Sequence, residues 1–187
     1  MVEAREAFRK QQSTMKADKC VFLDQTGVNT RMMRSHARGP RGERVVDHQP
    51  KARGTNYTLI GALTPTGIIA SHLLDGSMRK LEFLRYLDEE LLPKLEKGQI
   101  LVMDNLRIHH SAEVKALARK YGISIKYIPP YTPTLNPIEE AWSKLKSFLR
   151  RTRARLADAL VQAVRKALTE ISAGNAVGWI KHAGYKL

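Results

Sequence analysis

The sequence predicts an α/β domain: a mixed sheet of about five strands, antiparallel in its first three and parallel after them, flanked by helices. Three observations carry this. Two β-rich runs, Tyr57–Leu63 and Gly67–Leu73, flank Thr64-Pro65-Thr66 as the arms of a hairpin flank its turn. Downstream, apolar runs at 100–104 and 123–128 alternate with stretches of helical period, the pattern of parallel strands joined through helices. The 187 residues, 43% of them hydrophobic, suffice for one domain with a sizeable core.

In order along the chain, residues 1–19 are polar and mixed in charge and read as an N-terminal arm or linker, leaving 20–187 as the domain. Cys20–Leu23 is an apolar strand running into Asp24, with Gly27 in the turn after it. The stretch 30–54 is dense in Arg, Gly and Pro and reads as a long, partly extended excursion with a short strand piece at Val45-Val46. Beyond the hairpin, Ser77 or a neighbour caps a helix over 78–96. Leu81, Leu84, Leu87, Leu91, Leu92 and Leu95 give it helical spacing, and Pro93 loosens its last turn. Ile100–Met103 is a buried strand ending on Asp104-Asn105. Ser111 caps a helix over 112–121, Gly122 stops it, and Pro129-Pro130 ends the strand at 123–128. A helix over 137–150 starts on Pro137, where a missing N–H costs nothing, and buries Trp142, Leu145, Phe148 and Leu149. The stripe Leu156, Leu160, Val164, Leu168, Ile171 continues over 155–172, in the same helix or in a second one broken near 151–154, as far as Gly174. A short terminal helix at 176–184 packs Trp179 on the body.

Charge points to the partner. Lys and Arg total 32 against 18 acids, a net charge of +14, and such a surplus favours a polyanion over a neutral small molecule. Arg31, Arg34, Arg38 and Arg41 on the excursion, and Lys144, Lys146, Arg150, Arg151, Arg153 and Arg155 on the last helices, are the candidate phosphate contacts. Solvated basic faces are the alternative for the same residues. The lone Cys20 excludes an internal disulfide and a cysteine-rich zinc site. No apolar run approaches a membrane span and no leader pattern stands at the N-terminus, so a cytoplasmic protein is expected.

Three acids occupy backbone-fixed positions: Asp24 and Asp104 after apolar strands, Glu139 in the first turn of a helix. Alone, each is better read as a turn residue, a cap or a complement to a helix dipole. Together in a strongly basic chain they suggest a metal-dependent enzyme acting on nucleic acid. Magnesium prefers oxygen ligands and keeps several waters, so a few carboxylates suffice. Successive helical residues point about 100° apart, so Glu139, three before Trp142, shares the inward face, while Glu140 turns away towards Lys144. Asn105 orients Asp104 or a local turn. His109 stands behind the acids or faces a phosphate, with a purely structural role equally open.

LDQTG around Asp24, MDN around Asp104 and PYTPTLNPIEEAW around Glu139, with 34 residues between the second and third acids, resemble the catalytic blocks of the mariner-type DDE transposases, in particular their bacterial insertion-sequence branch. The resemblance extends over most of residues 20–185; Gln25 departs from the glutamate usual there. It implies a ribonuclease-H-like fold and two Mg²⁺ ions, with Mn²⁺ able to substitute, Asp24 bridging them and Asp104 and Glu139 each completing one. It further implies cleavage of DNA at element ends, transfer of 3′-hydroxyls into target DNA at TA dinucleotides, and a homodimer at synapsis. Family members carry an N-terminal helix-turn-helix region for which residues 1–19 are too few, implying a truncated copy or a separately encoded N-terminal half. A ribonuclease-H-like nuclease or resolvase without strand transfer, and an inactive DNA-binding relic, remain the competing readings.

Overall fold

A computed structural model describes residues 2–34, 36, 38–46, 48 and 54–187. Five strands form one sheet in the order β3-β2-β1-β4-β5: β1 (Cys20–Asn29), β2 (Asn56–Thr64), β3 (Gly67–Asp75), β4 (Ile100–Met103) and β5 (Ser124–Tyr127). β1, β2 and β3 are antiparallel, whereas β4 lies parallel to β1 and to β5. The expected antiparallel start and parallel continuation are both present.

The helices are α1 (Val2–Gln12), α2 (Lys80–Arg85), α3 (Ala112–Lys120), α4 (Ile138–Thr152), α5 (Ala157–Thr169) and α6 (Ala173–His182). They cover the sheet on two sides. One core joins Cys20, Phe22, Leu59, Leu63 and Val102 to α1, α4, α5 and α6. The other joins Val21, Leu23, Ile60, Leu101 and Met103 to α2, α3 and the turns after α2. Because side chains alternate along a strand, Asp24 follows Phe22 onto the α4 side, and Asp104 follows Val102 onto that same side.

β1 runs well past Asp24, and Gly27 lies inside it opposite Thr58 instead of in a turn. The reason lies in the pairing. β4 accompanies β1 only from Cys20 to Phe22, while β2 continues alongside to Asn29. Asp24 therefore sits mid-strand, at the place where one neighbour has just ended and the sheet opens.

The helix expected over 78–96 is α only over Lys80–Arg85, then passes through a π-helical turn (Tyr86–Leu91) and a 3₁₀ turn (Leu92–Lys94) at Pro93. The wider turn moves the buried face to Phe83, Tyr86, Leu87, Leu91 and Leu92, and leaves Leu81 exposed. Its N-cap is Arg79, not Ser77, and the Arg79 N–H donates to the Glu82 carboxylate. Ser111 caps α3 by accepting from the Val114 N–H. α4 and α5 are separate, broken where Arg153 takes a left-handed conformation (φ 54°). Leu156, just outside α5, is exposed and not part of the stripe, and Gly174 lies in the first turn of α6.

The N-terminal segment is helical and docked. Phe8, Met15 and Ala17 are buried, and Gln12 Nε2 donates to the Ala183 carbonyl at 2.8 Å. Val45 and Val46 are exposed and form no strand. Of the excursion 30–54, residues 35, 37, 47 and 49–53 lie outside the described residues.

Two glycines of the central strands differ in a testable way. A Cβ on Gly61 would stand 2.7 Å from Cη2 of Trp142, while one on Gly27 meets nothing within 4 Å. Overpacking a filled core costs about 1–3 kcal/mol, and a compatible Gly→Ala gains roughly 0.4–1 kcal/mol through the unfolded chain. In denaturant unfolding, Gly61→Ala is expected to lower the midpoint at unchanged slope and Gly27→Ala to hold or raise it.

Candidate active site

Asp24, Asp104 and Glu139 line one open cleft of about 270 Å³, together with Asn105, Leu106, the turn Ile128–Pro133 and Asn136. Each reaches it from a different element. Asp24 stands in the middle of β1, Asp104 one residue past β4, and Glu139 in the first turn of α4.

Each aspartate has one oxygen already engaged. Trp142 Nε1 donates to Asp24 Oδ2 at 3.0 Å, with the indole buried. The room for that ring comes from Gly61, the residue paired with Asp24 across the sheet. Asp104 Oδ1 accepts from the Leu106 N–H at 3.2 Å and lies 2.7 Å from Nδ1 of His109. His109 is 1% exposed, with its ring against Phe83 at 4.6 Å, so it faces Asp104 and no phosphate. Asn105 is exposed and its side-chain oxygen bonds Nε2 of His110, whose ring stacks on Tyr127. It thus holds the local turn and not Asp104.

The start of α4 is tied to the same strand. Asn136, 5% exposed, donates from Nδ2 to the Leu23 carbonyl at 3.4 Å, leaving its buried Oδ1 without a partner. Glu139 is exposed on the cleft side and not on an inward face, and Glu140 is exposed as well.

The carboxylates feel one another. The Asp24 carboxyl is pushed up to about 7, chiefly by burial, then by the charge of Glu139 and, less, of Asp104. Hydrogen bonds from the Gln25 backbone amide and from Trp142 oppose the rise. Glu139 is also raised, by burial first and by Asp104, while Lys146 pulls it back down. Burial and like charge both disfavour ionised carboxylates, and a divalent cation removes that penalty. Among the described residues no three acidic, His or Cys side chains close on a single point. Magnesium prefers oxygen ligands and keeps several waters, so carboxylates on one cleft are donors of the right chemical type for it.

The basic residues divide by what already holds them. Lys144 Nζ contacts the Glu170 carbonyl at 2.5 Å and Asn175 Oδ1 at 2.7 Å, bracing the end of α5 instead of pairing with Glu140 or reaching a phosphate. Arg155 donates to the Thr30 carbonyl at 3.3 Å. Arg31 packs its stem against Gly54 and is part buried. Arg34, Arg38, Arg41, Arg150 and Arg151 are exposed, Arg153 forms the left-handed break after α4, and Lys146 stands near Glu139 on α4.

Sequence reasoning placed Trp142 in the core without its hydrogen bond, and did not single out Gly61, Asn136 or Tyr131. A glycine inside a strand does signal close approach of another group, and Gly61 was open to that reading. Tyr131 has φ 59°, a conformation costing a non-glycine residue about 1–2 kcal/mol.

A family model described as DDE superfamily endonuclease matches residues 19–161. No curated protein matches the chain. Among solved structures, a pre-cleavage Mos1 transpososome superposes with a TM-score of 0.80 at 13% identity, over 97% of this chain and 57% of that one. A Mos1 transposase paired-end complex with left transposon end gives 0.78 at 13%, covering 99% and 62%. The Mos1 transposase catalytic domain with raltegravir and Mg gives 0.71 at 12%, covering 97% and 86%. The fold is thus the ribonuclease-H-like fold of those domains, and this chain spans just over half the length of the first two. Among the described residues no helix is long and apolar enough to cross a membrane.

A carboxyl whose proton is held more tightly in the folded state than in the unfolded chain favours folding at low pH and loses that contribution as pH rises between the two values. The contribution is complete below the unfolded value near 3.8 and is lost as pH rises through about 7. In EDTA, the stability difference between wild type and Asp24→Asn is expected to change over about pH 4 to 7, with wild type falling relative to the variant as pH rises. Equal pH profiles for the two in thermal unfolding would remove this account of Asp24.

Proposed function

The chain belongs to the DDE superfamily endonucleases, and from that premise we propose that it is the catalytic domain of a mariner-type DNA transposase. One observation carries the reading: three carboxylates, on three backbone-fixed elements of a chain with net charge +14, face a single open cleft. The motifs LDQTG and PYTPTLNPIEEAW support placement in the bacterial insertion-sequence branch.

Asp24, Asp104 and Glu139 would hold Mg²⁺, with Mn²⁺ able to replace it. Bound divalent ions supply charge relief on the phosphate and help activate the attacking water. The chain's own residues do the positioning. Trp142 and His109 hold the carboxylates of Asp24 and Asp104 in place, and Lys146 tempers the charge on Glu139. Exposed Arg150 and Arg151 carry phosphates past the cleft. In the hydrolytic step the water oxygen bonds phosphorus and the P–O3′ bond breaks, giving a 3′-hydroxyl and a 5′-phosphate. In strand transfer that hydroxyl attacks a target phosphodiester, whose own P–O3′ bond breaks. Partners on this reading are element ends and target DNA, a second copy at synapsis and an N-terminal DNA-binding half, in the cytoplasm.

Nicking of supercoiled plasmid with Mg²⁺, Mn²⁺ or EDTA tests the reading. Glu139→Gln is expected to abolish metal-dependent nicking with the fold intact, while Glu140→Gln keeps most of it. No nicking with either metal would leave a DNA-binding relic, and nicking without joined products a nuclease. Affinity should also fall steeply with salt, by about 0.9 log units per neutralised phosphate per log unit of salt. Arg150→Ala with Arg151→Ala is expected to flatten that slope in fluorescence anisotropy, and Lys144→Ala to leave it unchanged while lowering thermal stability.

A further inference from the structure

We propose that Tyr131 and Leu106 form a clamp for one unpaired nucleobase of the DNA strand being cut, seated beside the three carboxylates. This deepens the reading above and rests on it. Tyr131 is 90% exposed, and among the described residues its hydroxyl makes no hydrogen bond. By contrast, the hydroxyls of Tyr86, Tyr121, Tyr127 and Tyr185 each donate to a main-chain carbonyl and serve the fold.

Its backbone argues the same way. Pro130 and Tyr131 are the central residues of a turn whose second position has φ 59°, where glycine or asparagine is the ordinary choice. A bulky residue held there against local preference points to a use for its side chain.

The turn is well held. Pro129, Pro130 and Pro133 surround it, Thr132 Oγ1 donates to the Pro129 carbonyl at 2.5 Å, and the Leu135 N–H donates to the Thr132 carbonyl at 3.0 Å. The ring is thus presented from a stiff support. Leu106, 41% exposed, lines the same cleft from the loop after β4, anchored through its N–H on Asp104.

An aromatic face and an aliphatic side chain on one cleft suit the flat, apolar faces of a base. The adjoining acids and their cations suit the phosphate next to it. Stacking of this kind tolerates any base. A paired base inside a duplex offers no free face, so the occupant is one that has left the stack.

The probe is a random-sequence duplex with a 3′ overhang carrying 2-aminopurine, titrated with the full chain and Ca²⁺ in place of Mg²⁺. Binding is followed by anisotropy and stacking by 2-aminopurine quenching. Wild type and Tyr131→Phe are expected to quench the overhang probe, and more than the same probe placed inside the paired region. Tyr131→Ala and Tyr131→Asn are expected to lose the quenching and about five- to hundred-fold in overhang affinity. Tyr131→Asn, which suits the turn, is expected to unfold no earlier than wild type, separating loss of the ring from loss of fold. DNA binding with equal quenching in Tyr131→Asn and wild type overturns the clamp alone. No DNA binding by any form overturns the clamp together with the transposase reading.

Discussion

The contact on which the site depends is the one between the Trp142 indole and Asp24. It lies where α4 crosses the sheet, and it joins the strand bearing one acid to the helix bearing another. Glu139 is three residues before Trp142, about one helical turn, so fixing the indole fixes the start of the helix. Gly61 makes the contact possible by leaving the sheet bare opposite Asp24. Asn136, just ahead of α4, adds a second tie, onto the Leu23 carbonyl. The distance between two of the three carboxylates is in this way set by packed core, not by a loop.

That core is also what allows the acids to be close. Gathering Asp24, Asp104 and Glu139 at the edge of a buried region raises the carboxyls of Asp24 and Glu139, which means the fold works against their ionised forms. Two hydrophobic layers, one on each face of the sheet, provide the stability that holds such an arrangement. The electrostatic cost is thus concentrated at the cleft, on carboxyls that burial and like charge both disfavour in their ionised form. Much of the surplus of positive charge lies elsewhere, on the excursion after β1 and along α4.

The loop before α4 has a different character. Three prolines and its own hydrogen bonds stiffen it without burying it, so its exposed side chains keep fixed places beside the acids. Rigid support for an exposed group is costly in conformational entropy unless the chain's own chemistry supplies it, and proline supplies it here.

Much of this was legible in the sequence, because its signals are local. The hairpin, the strands ending on Asp104 and on Pro129, the Ser111 cap and the stop at Gly122 follow from turn chemistry and period. The three acids were legible from their positions after apolar strands and at a helix start. What the sequence could not show is decided by neighbours distant along the chain. β1 continues past Asp24 because β2 stays beside it after β4 ends. Residues 2–19 are docked because Phe8 and Met15 find the far end of the chain. Lys144 serves a helix terminus in place of Glu140 or a phosphate because Glu170 and Asn175 come within reach. The contacts that hold Asp24 and Asp104 likewise come from residues the sequence did not pair with them, Trp142 and His109. Residue type and spacing determined which acids meet at the cleft; tertiary packing alone decided how they are aimed, since aim is a relation between side chains that are neighbours in space and strangers in sequence.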